Sequence, residues 1–111
     1  MTIINFIVLN CRNLEKSLSF YQALGLEFQQ EQHGKSPVHY SCQIENILLE
    51  LYPVDREKVN RDTKVGFIVE NIDEIINKLP TYFHSKKETN YGPMATLKDP
   101  DGMWILLYQD K

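Results

Sequence analysis

Five side chains in this sequence belong to the types that most often bind metals or act as nucleophiles, namely His33, His39, His84, Cys11 and Cys42. A helical zinc motif places two histidines four residues apart, and no pair here has that spacing. The histidines fall in or beside predicted loops and polar strand faces, so we interpret them as surface residues. The cysteines lie on apolar strand faces, which is typical of unreactive core thiols. These residues therefore predict neither a metal site nor a cofactor.

Other common catalytic patterns are also missing from the sequence. It contains no Ser-His-Asp arrangement, no G-x-S-x-G nucleophile elbow and no phosphate-binding loop. The apolar side chains between Leu14 and Leu24 follow helical spacing, which predicts a core stripe rather than a cofactor motif.

The composition is that of one average globular domain, with 111 residues, 42% of them hydrophobic and 24% charged. The net charge of −3 provides no basic surface for a nucleic-acid partner. The first apolar run, Ile3 to Leu9, is far shorter than the ~20 residues of a membrane span and lacks the features of a signal peptide. We therefore expect a cytoplasmic location, no membrane partner and two free thiols.

The elements that must position any functional side chains begin with a strand and a well-bounded helix. Residues 3–11 are apolar and β-branched, which predicts a buried strand. Asn13 is a typical N-cap for a helix over residues 14–24, and Gly25 suits the position that ends it. Three more strands are predicted over residues 26–32, 38–45 and 47–52.

The same order of elements returns after a charged connector. Asn71 caps a second predicted helix over residues 72–79, and Pro80 ends it. Strands are predicted over residues 64–70, 81–85, 94–98 and 103–109, with a polar loop over 86–93 and a tight turn over 99–102. The sequence thus predicts one domain over residues 1–111, made of module one (1–53), a linker (54–63) and module two (64–111).

Two strings resemble the vicinal oxygen chelate superfamily, the glyoxalase, bleomycin-resistance and extradiol-dioxygenase group. Residues 13–26, N-L-E-K-S-L-S-F-Y-Q-A-L-G-L, look like its opening module. Residues 92–109, G-P-M-A-T-L-K-D-P-D-G-M-W-I-L-L-Y-Q, look like the end of its second module. The resemblance implies an α+β fold in which two βαβββ modules form curved mixed sheets around a cleft, usually in a dimer.

The metal-using members of that family carry ligands, typically His, Gln or Glu, at four strand positions. The corresponding residues here are Phe6, Glu50, Lys64 and Leu106. Phenylalanine and leucine have no lone pair to offer, and a protonated lysine repels a cation. Because a catalytic metal needs about three protein ligands, we expect no metal at these positions. Glu50 remains the only catalytic candidate, as a metal-free general base.

Strand alternation identifies the side chains that share the cleft face with these four positions. That face is aromatic and aliphatic with a few polar groups, as in small-molecule pockets. The predicted ligand-binding residues are Phe6, Val8, Asn10, Leu48, Glu50, Tyr52, Lys64, Thr96, Trp104, Leu106 and Tyr108. Alternatively, the same aromatic side chains fill a second core or a dimer interface. Glu50 and Lys64 either form an ion pair in place of a metal, or Lys64 extends to water.

The leading interpretation is a metal-independent protein that binds a small organic molecule in an aromatic cleft and works as a homodimer. One alternative is a glyoxalase-like lyase or isomerase, or a dioxygenase-type enzyme, with an unrecognised or degenerate metal site. Another is a non-catalytic accessory dimer whose cleft is filled by side chains. Fold-level resemblance does not decide among them.

Overall fold

The computed structural model describes residues 1–55, 58–59 and 62–110, so the predicted linker over residues 54–63 lies partly outside the described residues. The elements follow one another as β1 (Phe6–Cys11), α1 (Leu14–Ala23), β2 (Gln29–Glu31), β3 (His39–Ile44), β4 (Ile47–Pro53), β5 (Lys64–Val69), α2 (Ile72–Lys78), a 3₁₀ turn (Pro80–Tyr82), β6 (Phe83–Thr89), β7 (Gly92–Lys98) and β8 (Trp104–Gln109).

The strands form two separate four-stranded sheets with the same topology. Sheet one has the order β1-β4-β3-β2, and sheet two has the order β5-β8-β7-β6. In each sheet the first and last strands of the module pair in parallel, and the remaining pairs are antiparallel. The predicted α+β fold with two βαβββ units and mixed sheets is therefore confirmed.

Local capping chemistry starts both helices where the sequence predicts. The side chain of Asn13 accepts a hydrogen bond from the Lys16 amide at 3.1 Å, and Asn71 accepts one from the Glu74 amide at the same distance. Each cap satisfies one of the amides that a helix N-terminus leaves without a partner. Gly25 follows α1 with a φ of 98°, a conformation that glycine adopts without steric cost.

One continuous core joins the two modules. Every second residue of the central strands points under the helices and is buried, including Leu51, Ile105 and Leu107. Tyr21 on α1 connects the modules, because its hydroxyl donates a 2.7 Å hydrogen bond to Asp99 of module two. Strand alternation puts Ile7 on the same side of β1 as the buried Leu9 and Cys11, but Ile7 is 36% exposed. It lies near the start of β1, an edge strand with a neighbour on one side only.

The main error of the sequence prediction concerns residues 86–93. We predicted a polar loop there, but β6 continues to Thr89 and β7 already begins at Gly92. Six of the seven residues of β6 are exposed, so this edge strand shows no apolar alternation that would reveal it. The first two strands of the chain are also shorter than predicted, since β1 begins at Phe6 and β2 spans only Gln29–Glu31.

Candidate functional site

The predicted ligand-binding residues divide between two surfaces. Each sheet has a face turned away from the buried helix-facing side chains, which we call its open face. Strand register places these residues of sheet one next to one another: Phe6, Val8, Asn10, Leu48, Glu50 and Tyr52. It does the same for those of sheet two: Lys64, Thr96, Trp104, Leu106 and Tyr108. The candidate site is therefore two surfaces of different composition.

The open face of sheet two is built around Trp104. The ammonium group of Lys98, its cross-strand neighbour, lies 4.6 Å from the centre of the indole ring, a cation–π contact. The ring of His84 meets the indole edge-on at 4.8 Å. Lys64 is the register partner of Trp104 on the other side. A cavity of about 220 Å³ lies here, lined by Lys64, His84, Ser85, Thr96, Trp104 and Leu106.

Sequence reasoning missed the roles of His84 and Lys98 on this face. The pairing of β6 with β7 shifts register between Phe83 and Ser85, and His84 is the extra residue at that bulge. A bulge changes the direction of a side chain in a way that simple alternation does not predict. His84 is exposed, as expected, but it contacts the indole of Trp104 rather than standing alone.

A second, more apolar hollow of about 540 Å³ lies further along sheet two, lined by Ile68, Tyr91, Tyr108, Gln109 and Asp110. Ile68 and Tyr108 are register partners on β5 and β8. Ile68 is 74% exposed, an unusual exposure for an aliphatic strand residue. This end of the open face offers apolar area, whereas the end at Trp104 offers aromatic and cationic groups.

The open face of sheet one contains a buried histidine between two carboxylates. His39 is only 2% exposed, so its interpretation as a surface residue was wrong. Its Nε2 atom lies 3.4 Å from Glu50 Oε2 and 3.7 Å from Glu31 Oε2. Its Nδ1 atom lies 3.1 Å from the carbonyl oxygen of Pro37. The side chain is buried because the ring of Tyr52 covers it at 4.9 Å between centroids.

His33 completes this cluster from the loop between β2 and β3. Its Nε2 atom lies 3.6 Å from Glu31 Oε2, and its ring centre is 5.3 Å from that of His39. His33 itself is exposed, as predicted. One ligand atom from each of Glu31, His33 and His39 lies within 4.8 Å of the other two, the arrangement of a possible metal site. From the sequence, we predicted no metal ligands among these residues.

The four positions that we predicted to correspond to the family's metal ligands carry side chains that do not suit a metal ion. Phe6, 56% exposed, and Leu106 offer only hydrocarbon to an ion. Lys64 offers an ammonium group that repels cations. The carboxylate of Glu50 contacts His39. Within the described part of the chain, no ion pair joins Glu50 to Lys64. A metal bound at these four positions does not fit the side chains present.

The two thiols are free and buried. Burial is the largest cause that raises the pKa of the Cys11 thiol from 9.0 to about 11, and the carboxylates of Asp101 and Asp99 contribute to the same rise. Burial also raises the pKa of Cys42. Both shifts favour the protonated thiol, which is a poor nucleophile and a poor metal ligand.

Comparison with known proteins identifies the family. Residues 3–107 match the model of the Glyoxalase/Bleomycin resistance protein/Dioxygenase superfamily, and the chain belongs to that superfamily. No match is found among curated protein sequences.

Solved structures share the fold at low sequence identity. The hypothetical protein SA1046 from S. aureus is 20% identical, with a TM-score of 0.74 over 99% of this chain and 97% of that one. TnmS3, an antibiotic binding protein from Streptomyces sp. CB03234, is 19% identical, with a TM-score of 0.76 over 100% and 98%. The oxidase ChaP-H1 is 16% identical, with a TM-score of 0.76 over 100% and 98%. At these identities the likeness establishes the fold alone.

In residues 1–55, 58–59 and 62–110, no helix is long and apolar enough to cross a membrane.

Proposed function

We propose that this protein binds a small organic molecule on the open face of sheet two, by aromatic and ionic contacts and without a metal at the four family positions. The observation that carries the proposal is Trp104, which lines a cavity and lies between two lysine positions. Tryptophan offers a large rigid surface on which a flat ring can stack. The likeness to an antibiotic binding protein is consistent with such a role.

The charges around Trp104 favour a ligand with an anionic group. Lys64 lines the cavity, and Lys98 extends over the indole ring. None of the six residues that line this cavity is acidic. An aromatic carboxylate would stack on the indole and place its charge near the two ammonium groups. A cationic ligand would instead meet like charge, which costs binding free energy.

The neighbouring hollow gives the ligand room to extend. Ile68 and Tyr108 lie on the same two strands as Lys64 and Trp104. The pair Lys64 and Trp104 is at the start of these strands, and the pair Ile68 and Tyr108 is near their end. The apolar part of an elongated ligand would bury area against these side chains, which contributes roughly 25 cal/mol per Å² of apolar surface removed from water. Glu50 lies on the other sheet, in contact with His39, and takes no part in this binding mode.

The exposed apolar side chains support a homodimer. Phe6 and Ile68 are 56% and 74% exposed, and they lie on β1 and β5, each of which is one of the two edge strands of its sheet. Unpaired strand edges with apolar side chains tend to pair with another chain. A second copy of this chain would cover both. Sedimentation analysis is expected to find a dimer, and Phe6→Lys is expected to shift it toward the monomer.

The ligand proposal is tested with three probes that share one ring system, namely naphthalene carboxylate, naphthol and naphthylmethylammonium. We expect thermal stabilisation to be largest for the carboxylate and smallest for the ammonium compound. Trp104→Ala should weaken carboxylate binding by at least about tenfold, as for other aromatic anchors. Tyr40→Ala, which removes a partly exposed aromatic ring from β3 of sheet one, is the matched aromatic control and should retain binding. Equal binding by wild type and Trp104→Ala, or no stabilisation by any probe, would contradict the proposal.

A further inference from the structure

We propose that Glu31, His33 and His39 form a binding site for a divalent transition metal on sheet one, with Glu50 beside its remaining coordination position. Of these four residues, only Glu50 occupies one of the family's ligand positions. The site also lies on a different sheet from the proposed organic-ligand site, so each proposal can fail without the other.

The distances between the donor atoms suit a tetrahedral ion. Zinc lies about 2.0–2.2 Å from histidine nitrogen and carboxylate oxygen atoms, which separates two tetrahedral ligands by about 3.4 Å. The Glu31 oxygen lies 3.6 Å from His33 Nε2 and 3.7 Å from His39 Nε2. All three donor atoms lie within 4.8 Å of one another. Small side-chain rotations are enough to bring them around one ion.

The hydrogen bonding of His39 leaves a lone pair pointing at two carboxylates. A carbonyl oxygen only accepts hydrogen bonds, so the contact with Pro37 requires the hydrogen on Nδ1. In the neutral ring Nε2 then carries a lone pair, and it faces oxygen atoms of Glu31 and Glu50 at 3.7 Å and 3.4 Å. The lone pair and the two carboxylates repel one another unless a positive charge, either a metal ion or a proton on Nε2, lies between them. A metal ion supplies that charge, and Pro37 acts as the outer partner that orients a ligating histidine.

The backbone holds the three ligands in place before any ion binds. Glu31 and His39 are directly opposite each other in the β2–β3 pairing. The loop that carries His33 is closed by Ser36, whose side-chain oxygen accepts from the His33 amide at 3.0 Å. The Ser36 amide in turn donates to the His33 carbonyl at 3.0 Å. Gly34 supplies the left-handed turn with a φ of 60°.

The donor set selects the class of metal. Imidazole nitrogen binds zinc, cobalt and nickel well, whereas magnesium and calcium prefer sites made only of oxygen. Two carboxylates and two neutral imidazoles have a total charge of −2, which a divalent ion balances. With three donors supplied by Glu31, His33 and His39, one tetrahedral position remains, and the Glu50 carboxylate, 3.4 Å from His39 Nε2, is the group that we propose to face it.

The test uses the tag-free full chain after treatment with a chelator. Calorimetric titration with Zn²⁺ should give one equivalent per chain, and Co²⁺ should give the intense visible absorption of a tetrahedral site. Glu31→Gln and His33→Ala alter partly or fully exposed side chains and should fold normally, yet each should weaken Zn²⁺ binding at least about tenfold. His84→Ala removes the histidine on sheet two and serves as the matched control, with unchanged Zn²⁺ affinity.

Three outcomes would overturn the site. The first is no Zn²⁺ binding by the wild-type chain. The second is unchanged affinity in both Glu31→Gln and His33→Ala, because the ion would then lie elsewhere. The third is equal loss in His84→Ala. Trp104→Ala should bind Zn²⁺ as the wild type does, so failure of the organic-ligand proposal leaves this test intact.

Discussion

The open faces of the two sheets have the same strand order and opposite chemistry. On sheet one, His39 is surrounded by the carboxylates of Glu31 and Glu50 and the ring of His33. On sheet two, Trp104 is surrounded by lysines and a histidine. Their helix-facing sides are alike, because both are apolar and belong to one core. The contrast shows that the repeated fold determines which positions face outward but leaves their side chains free. Because outward-facing positions contribute little to the core, their side chains can differ between the two sheets without loss of the fold.

The two modules present different open faces but are joined by a polar contact in the core. Asp99 is 7% exposed and accepts hydrogen bonds from the Tyr21 hydroxyl and from the amides of Asp101 and Met103. One carboxylate thus closes the turn before β8 and binds the helix of the other module. This polar contact couples the two modules in addition to the continuous apolar core that they share.

Asp99→Ala is expected to have the largest effect of the changes considered. It leaves the buried Tyr21 hydroxyl without its acceptor and removes two hydrogen bonds within the turn. The free energy of unfolding should fall by about 3 kcal/mol, since buried groups without partners are costly. Urea unfolding followed by far-UV circular dichroism measures this, and a single transition is expected because the core is continuous.

Two further variants separate the loss of the Tyr21–Asp99 hydrogen bond from the general effect of removing a carboxylate. Tyr21→Phe keeps the ring and removes only the hydroxyl, so about 1.5 kcal/mol should be lost. Asp110→Ala removes an exposed carboxylate after β8 and should change stability by no more than about 0.5 kcal/mol. Two separate unfolding transitions in the wild type would show that the modules unfold independently and would contradict the role given to Asp99.

The thiol of Cys11 should be about a hundredfold less reactive in the folded chain at about pH 8, because its pKa is raised by about two units. In a Cys42→Ala background it is the only thiol of the chain. Alkylation by iodoacetamide should therefore be slow in buffer and fast in denaturing urea. Similar rates in the two solvents would contradict the raised pKa.

The same shift predicts a loss of stability at alkaline pH. The unfolded chain releases the Cys11 proton near pH 9.0, whereas the folded chain holds it to about pH 11. Between these values the folded state binds more protons, so stability falls as the pH rises. Below pH 9.0 both states keep the proton, and the contribution is fully present. Cys11→Ala should show a shallower decline over this range than the wild type.

The smallest expected effect is that of Lys98 on ligand binding, which should be confined to the open face of sheet two. Lys98→Met removes the ammonium group above Trp104 and should weaken binding of naphthalene carboxylate by roughly three- to tenfold. Binding of naphthol and of Zn²⁺ should not change. Lys87→Met, on the exposed edge strand β6, is the matched control. If naphthol binding falls by the same factor as carboxylate binding, Lys98 acts through its hydrocarbon stem and not through its charge.

Local signals in the sequence were enough to predict most of the fold. Asn13 and Asn71 mark helix starts because their side chains bond to amides three residues later, which depends on neighbouring residues only. The alternation in β4 and β8 separates buried from outward positions in the same way. In contrast, β6 was mistaken for part of a loop because an exposed edge strand carries no apolar pattern.

The sequence by itself determined the helices, most strands, the repeat and the side chains unsuited to the family's metal positions, since each depends on near neighbours or on residue type. Only the tertiary structure decided which side chains meet. His39 reaches Glu31 and Glu50 because strand register brings β2, β3 and β4 together, and His84 reaches Trp104 through a bulge. Pairing register and bulges depend on hydrogen bonds between distant parts of the chain, and so no local pattern indicated the cluster around His39.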